Sequence, residues 1–164
     1  MSVFYHPFEV RWSDLDANFH LANSSYVMYC AQTRMAFMKK YQMGVSQLAK
    51  WGIGPVILKE SYSFYKEIRS DVKVMVSLEV AGMSEDASIY SFVHKFYLED
   101  GTHCATSEVT GVWIDMKTRK MGVPPAEVLE TLKSFRTEKT VSLSMNDVKS
   151  LSQKPQNIDP INLK

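Results

Sequence analysis

The segment from Trp12 to Met38 constrains the fold more than any other part of the chain, because it joins a polar loop to a helix that is apolar on nearly every side. The loop carries Asp14, Asp16, Asn18, His20 and Asn23. The helix that follows carries Tyr26, Val27, Met28, Tyr29, Cys30, Ala31, Met35, Ala36, Phe37 and Met38. Such a helix has to be covered all round. Polar residues at 32–34 interrupt it before the roughly 20 apolar residues of a membrane span, so we expect the protein itself to cover it.

Length and composition indicate one globular domain. The 164 residues are 23% charged and 45% hydrophobic, and the formal net charge of +1 argues against nucleic acid as the main partner. Cys30 and Cys104 have neither disulfide nor metal spacing, so we expect two buried thiols. The first ten residues lack the basic flank and apolar run of a signal peptide. A cytoplasmic protein is the expectation.

The order of elements predicts an α+β layer fold. A strand at Phe4–Trp12 precedes the loop, and the helix runs from Asn23 or Ser24, both good N-cap residues, to about Tyr41. After a short helical turn at 45–51, four strands are predicted at Val56–Glu67, Asp71–Met83, Ser88–Glu99 and Thr102–Met116, and a small helix at Ala126–Phe135. A five-stranded antiparallel sheet curled around the long helix would cover it.

The composition changes after Arg136. Residues 137–164 contain no aromatic residue and no glycine, with many Ser, Lys, Asn and Asp. We therefore predict a domain over residues 1–136 and a polar C-terminal tail over 137–164, laid on the surface or flexible.

The loop and the start of the helix resemble a family signature. WSDLDANFHLANSSYVMYCAQTR is similar to the pattern of hot-dog thioesterases of the 4-hydroxybenzoyl-CoA thioesterase type, roughly Asp-x-Asp-x-x-Gly-His-x-x-Asn-x-x-Tyr followed by a helix with an Arg. The matching positions are Asp14, Asp16, Phe19, His20, Asn23, Tyr26 and Arg34. The resemblance covers about residues 5–130.

This resemblance implies the hot-dog fold and an enzyme that hydrolyses a thioester of coenzyme A or acyl carrier protein, with no metal and no cofactor. It also implies a homodimer, or a homotetramer built as a dimer of dimers, with active sites at the subunit interface beside the start of the central helix. The second carboxylate of the Asp-x-Asp pair is the catalytic one in the family, and it corresponds to Asp16.

The residues themselves are compatible with that chemistry. Thioester hydrolysis needs an activated water or a nucleophile, and donors for the developing oxyanion. Asp16 can act as nucleophile or general base, and the pattern leaves both open. The backbone N–H groups of Asn23 and Ser24, at the helix start, can serve the oxyanion. His20 is a candidate polar partner of Asp16 or of the substrate, and a purely structural role is equally open.

Candidate substrate contacts are Phe19, Tyr26, Lys66 and Arg69. Phe19 stands where the family has glycine, which permits a positive φ. Either the loop takes another path or the ring reshapes the acyl entrance. The hairpin Ser84–Ala87 is acidic and would repel a phosphate, so Lys66 and Arg69 are the expected cationic contacts. Arg34, unusual on so apolar a helix, is expected to pair with a carboxylate or with carbonyl groups.

A second function remains open. Phe19 and the acidic hairpin also fit a non-catalytic hot-dog dimer that binds acyl or lipid-like groups or acts as a scaffold. A hydratase is less favoured, because no Asp or Glu lies between Leu21 and Lys40.

Overall fold

A long helix lies against a curled sheet in the computed structural model, which describes residues 3–151 and 155–163. The central helix α1 spans Asn23–Lys40, and the strands are β1 Phe4–Glu9, β2 Ile53–Phe64, β3 Lys73–Met83, β4 Ile89–Leu98, β5 His103–Asp115 and β6 Val141–Ser142. The shorter helices are α2 Val45–Trp51, α3 Ala126–Ser134 and α4 Met145–Ser150. The strand order is β1-β3-β4-β5-β2. The predicted α+β hot-dog fold is confirmed.

Six strands are present where five were expected. The sixth, β6, comes from the polar tail and pairs in parallel with the end of β3 at Gly82 and Met83. The hydroxyl of Thr140 also donates to the carbonyl of Val80, at 2.8 Å. No sequence pattern predicts β6, because two residues are too few to show an alternation. The boundary at residue 136 stays a prediction.

Alternation along β3 decides which side chains face the helix. Val74, Val76, Leu78 and Val80 are buried, whereas Met75 on the opposite face is exposed. In β4 the inward positions are Tyr90, Phe92, His94 and Phe96, all buried. The period of two therefore places one apolar face of the sheet against α1.

Within the part of the chain that the structure describes, strand β2 forms one edge of the sheet and pairs only with β5. It begins at Ile53, three residues before the predicted start, and so includes Pro55. Proline is tolerated there because an edge strand has one unpaired side. A bulge between Ile57 and Lys59 adds one residue and changes which side chains face inward beyond it.

Helix α1 is not covered on every side within one chain, contrary to the expectation from its composition. Val27, Met28, Ala31 and Met35 are exposed on one side, while Tyr26, Tyr29, Cys30, Phe37 and Met38 are buried on the other. The sheet of a single chain therefore covers only part of the helix. Among residues 3–151 and 155–163, none of the helices has the length and apolar content needed to cross a membrane.

The first strand is shorter than predicted. β1 ends at Glu9, and Trp12, the predicted last residue of the strand, lies instead in a 3-10 turn with its side chain exposed. The carboxylate of Asp14 accepts the N–H of Arg11 at 2.9 Å, which closes this turn. Cys30 and Cys104 are both buried free thiols, as predicted.

Candidate active site

The loop before α1 is held by its own backbone and by a neighbouring segment. An antiparallel bridge joins Leu15 to Leu21, and the N–H of Asp16 donates to the carbonyl of His20 at 2.9 Å. The N–H of Leu21 donates to the carbonyl of Ile68 at 2.7 Å. These bonds define a tight turn over residues 16–20, which we call the motif turn.

Asp14 anchors the motif turn to the helix start. Its carbonyl accepts the N–H of Ala22 at 2.9 Å and the hydroxyl of Ser25 at 2.8 Å, and its carboxylate accepts the hydroxyl of Tyr29 at 2.8 Å. Both the backbone carbonyl and the side-chain carboxylate of Asp14 are thus used in hydrogen bonds within the protein. Because two residues span at most about 7 Å of chain, Asp16 is kept near the beginning of α1.

Asp16 is exposed and only partly engaged. Its Oδ1 atom accepts the N–H of Asn18 at 2.8 Å and that of His20 at 3.4 Å. Its Oδ2 atom has no hydrogen-bond partner among the residues that the structure describes. One carboxylate oxygen therefore orients the side chain and the other is available to a ligand or to water.

Phe19 has a φ of 60° and an exposed side chain, 72% accessible. The motif turn consequently adopts the left-handed conformation that a glycine allows, even though a bulky residue pays roughly 1–2 kcal/mol for it. Of the two expectations, a different loop path or a ring at the entrance, the positive φ favours the second. Strain of this kind is typical of functional loops.

The start of α1 carries unsatisfied donors. The N-cap residue is Ala22, and not Asn23 as expected, so no side chain caps the helix. Within residues 3–151 and 155–163, the N–H groups of Asn23 and Ser24 have no acceptor, whereas the N–H of Ser25 donates to the carbonyl of Ala22 at 2.9 Å. Both residues are exposed. Two amides and the positive end of the helix dipole thus face an accessible surface.

The side chain of His20 pairs with Glu67, and only its backbone N–H contacts the Asp16 carboxylate. Its Nε2 atom lies 2.7 Å from a carboxylate oxygen of Glu67, and its backbone forms a bridge with Arg69. Arg69 also bonds Glu67, with 2.8 Å between Nε and Oε1. Glu67 therefore links His20 to Arg69, while Lys66 next to it is exposed. Sequence reasoning had not identified Glu67.

Tyr26 is buried behind this surface. Its ring packs on Phe96 and on Phe64, with centroids 4.9 Å apart in both cases. Burial and the nearby Cys104 thiol raise the pKa of Tyr26 to about 12, so its hydroxyl stays protonated. The half-exposed Phe64 ring is the part of this pair that solvent reaches.

A buried polar cluster lies beneath the middle of α1. Nη1 of Arg34 is 2.9 Å from Oε1 of Glu60 and 3.2 Å from Nε2 of His94. His94 donates from Nδ1 to the carbonyl of Ser77 at 2.7 Å, which leaves Nε2 to accept from the guanidinium. The predicted carboxylate partner of Arg34 is thus confirmed. Burial, and then the Arg34 charge, lower the pKa of His94 to about 3, so the imidazole is neutral.

Next to this cluster is an apolar cavity of about 200 Å³ between the second half of α1 and the sheet. Its exposed lining residues are Ala31, Met35, Pro55 and Ile57, and its buried ones include Tyr90, Phe92 and Trp113. Asp16 lines neither this cavity nor the four other principal pockets of the described residues. No sequence signal located the cavity, because α1, β2, β4 and β5 each supply part of it.

The acidic hairpin between β3 and β4 is folded on itself. The carboxylate of Asp86 accepts the hydroxyls of Ser84 and Ser88, both at 2.7 Å, and the N–H of Ser88 at 2.9 Å. Partial burial opposes ionisation, but these hydrogen bonds outweigh it and the pKa of Asp86 is lowered. The hairpin therefore keeps its negative charge, as expected of a surface that does not hold phosphate.

Comparison with known proteins agrees with this architecture. The family model described as the thioesterase-like superfamily matches residues 10–132. A Staphylococcus aureus protein solved in complex with CoA superposes with a TM-score of 0.75 at 19% identity, over 81% of this chain and 83% of that one. The DHNA-CoA thioesterase of Staphylococcus aureus gives a TM-score of 0.74 at 18% identity, over 82% and 91% of the two chains.

A 1,4-dihydroxy-2-naphthoyl-CoA thioesterase from Synechocystis is similar as well, with a TM-score of 0.72 and 14% identity over 80% of this chain and 96% of that one. At these identities the superpositions establish a common fold. They leave the acyl group and the catalytic residues of this chain to be argued from its own geometry.

Proposed function

Because the chain belongs to the thioesterase-like superfamily, we propose that it hydrolyses an acyl thioester of coenzyme A or acyl carrier protein to the free acid and the thiol. The observation that carries this proposal is the pairing of a half-free carboxylate with an uncapped helix start. Asp16 leaves one oxygen unengaged, and the amides of Asn23 and Ser24 lack acceptors among the described residues.

In the proposed reaction, the thioester carbonyl oxygen accepts hydrogen bonds from the Asn23 and Ser24 amides. Asp16 either takes a proton from the attacking water or attacks the carbonyl carbon itself. Negative charge then develops on the oxygen that the two amides face, where the helix dipole stabilises it. The carbon–sulfur bond breaks, and the thiolate leaves and takes up a proton. On the general-base route the attacking water supplies the new carboxylate oxygen directly. On the nucleophilic route the acyl group is first held on Asp16 as an anhydride, and water then cleaves that bond, which releases the acid and restores the Asp16 carboxylate.

We assign supporting roles to the other residues of the site. Phe19 and the Tyr26–Phe64 pair form an aromatic border for the acyl group, since two of these three rings are solvent-accessible. Arg69, whose backbone forms a bridge with His20 of the motif turn, and the exposed Lys66 are proposed to meet the phosphates of the carrier. His20 is proposed to hold the motif turn in place beside Arg69, through its side-chain contact with Glu67 and its backbone bridge with Arg69.

We further propose that the chain works as a homodimer, with a homotetramer as the larger possible assembly. The edge strand β2 is twelve residues long and unpaired on one side, and such an edge is normally paired or covered. Exposed apolar side chains lie on or beside it at Ile57, Leu58 and Met35, the last of which lines the same cavity as Ile57. A second copy on this side would cover the face of α1 that one sheet leaves open. The cytoplasm, as expected from the sequence, is the proposed location.

Purified protein assayed on a panel of acyl-CoA esters, with thiol release followed, tests the proposal. We expect turnover, and a fall in kcat/KM of two or more powers of ten in Asp16→Asn. Asp100→Asn is the matched control, because Asp100 also accepts a backbone N–H two residues ahead, at 2.9 Å, but lies on the β4–β5 hairpin. A fully active Asp16→Asn variant would refute the assigned role.

A non-catalytic dimer that binds acyl groups is the second candidate. The separation of Asp16 from the apolar cavity favours it, since a cavity can hold an acyl group without any chemistry. In that case the panel shows binding of acyl-CoA by calorimetry but no thiol release from wild-type protein.

A further inference from the structure

The apolar cavity is large enough to hold part of a ligand. Its volume of about 200 Å³ exceeds the roughly 150 Å³ of an engineered apolar cavity that binds benzene. Its accessible side is formed by Ala31, Met35, Pro55 and Ile57, so it opens between α1 and the edge strand β2. Val128 and Leu132 of α3 contribute buried lining.

One wall of the cavity carries an unused donor. Trp113 is only 4% exposed, and its indole N–H has no hydrogen-bond partner among the described residues. Buried donors in native proteins are nearly always paired, so an orphan indole N–H beside a cavity points to an acceptor that a bound molecule brings. The neighbouring Tyr90 ring fits there because Gly111 has no side chain: a Cβ atom at that position would lie 2.5 Å from the Tyr90 hydroxyl.

The charge on the cavity wall is balanced. Arg34 contributes to the lining, but Glu60 neutralises it and His94 is a neutral acceptor. A carboxylate on the ligand would meet the Glu60 charge as well as the guanidinium. The acceptor that suits Trp113 is therefore an uncharged oxygen, such as a hydroxyl, keto or ether group.

The distance from the helix start sets the length of the ligand. Ala31 follows Asn23 by eight residues, which corresponds to about 12 Å along α1. Ser24, Val27 and Ala31 are exposed and lie on one line of the helix, at positions i, i+3 and i+7. A chain whose carbonyl group rests on the Asn23 amide would follow this line and reach the cavity with its far end.

We propose that the cavity receives the far end of a long acyl chain and that the Trp113 N–H selects chains bearing a neutral oxygen there. This inference rests on the proposed function only for the identity of the ligand as an acyl group. It adds a specificity residue that lies far from Asp16.

Binding of hexadecanoate and of its ω-hydroxy derivative to the full-length protein tests the proposal by calorimetry, independently of hydrolysis. We expect the hydroxylated acid to bind about fivefold more tightly, the usual effect of one neutral hydrogen bond. In Trp113→Phe the two acids should bind equally, with hexadecanoate affinity unchanged. Trp51→Phe is the matched control and should keep the preference, since Trp51 lies outside the cavity.

Indole resonances of the ¹⁵N-labelled wild-type protein give a second readout that needs no variant to fold. The Trp113 signal should move with the hydroxylated acid more than with hexadecanoate, and the Trp12 signal should stay in place. Equal affinities in the wild type, or a Trp113 signal unmoved by saturating ligand, would overturn the inference. Binding with this preference but without thiol release would refute the proposed function alone.

Discussion

The buried ion pair between Arg34 and Glu60 yields the most informative stability prediction. Their side chains are 13% and 15% exposed, and the two charged atoms are 2.9 Å apart. Glu60→Gln keeps the shape and one acceptor but leaves the guanidinium without a counter-charge. Breaking a buried pair in this way typically costs 3–5 kcal/mol. Because both side chains retain some solvent contact, we expect about 3 kcal/mol, or a melting temperature lower by roughly 6–12 °C.

The matched control is Glu79→Gln. Lys95 and Glu79 are also 2.9 Å apart, but their side chains are 32% and 31% exposed. Pairs near solvent contribute less than about 1 kcal/mol. The same substitution at the same distance should therefore have a several-fold smaller effect, and burial is the variable that differs.

Urea unfolding followed by circular dichroism, at one fixed protein concentration, measures both effects. A fixed concentration is needed because association would stabilise the folded state. The double variant Arg34→Met/Glu60→Leu should be less destabilised than the sum of Arg34→Met and Glu60→Leu, by roughly 2 kcal/mol. Equal losses in Glu60→Gln and Glu79→Gln, or strictly additive effects in the double variant, would refute the reasoning.

Three further predictions follow. The pKa of His94 is lowered from 6.5 to about 3 in the folded state, so below pH 6.5 the unfolded chain binds a proton that the folded one excludes. Because of this residue, the free energy of unfolding should fall by about 2 kcal/mol between pH 7 and pH 5. Urea titrations of His94→Gln should lack that part of the pH dependence. Phe19→Gly should stabilise the protein by up to about 1 kcal/mol in thermal melts by relieving the positive φ, whereas Phe19→Val, β-branched at the same φ, should destabilise it. Gly111→Ala should lower the free energy of unfolding by about 1–3 kcal/mol, because the new Cβ atom would overlap Tyr90 and the carbonyl of Val56. Unchanged stability in urea titrations would contradict the close packing.

Part of the candidate site could be predicted from the sequence. The loop and the helix start follow from local spacing, and the expectation that Arg34 has a polar partner follows from its place on an apolar helix. Phe19 is the instructive exception to a local rule: its φ of 60° shows that a glycine conformation is retained without the glycine. Bonds across the turn hold it, and their combined strength exceeds the strain of one residue.

His94 could have been found from the sequence, because it occupies an inward position in the alternation of β4 between Phe92 and Phe96. Glu60 could not. The bulge after Ile57 reverses which residues of β2 face the helix, so alternation read from Ile53 places Glu60 on the wrong face. The partners of Arg34 are 26 and 60 residues away in sequence, a separation that no local pattern encodes.

The sequence by itself determined most of the elements: the segments of the five longer strands, the region where the long helix begins, and the need to cover its apolar surface. These follow from periodicity and turn chemistry, which act over a few residues. Only the tertiary structure decided the exposed side of α1, the cavity beside Trp113 and the burial of Glu60. Those features depend on strand register and on how helix and sheet approach one another, and both are set by packing between segments that are distant in the chain.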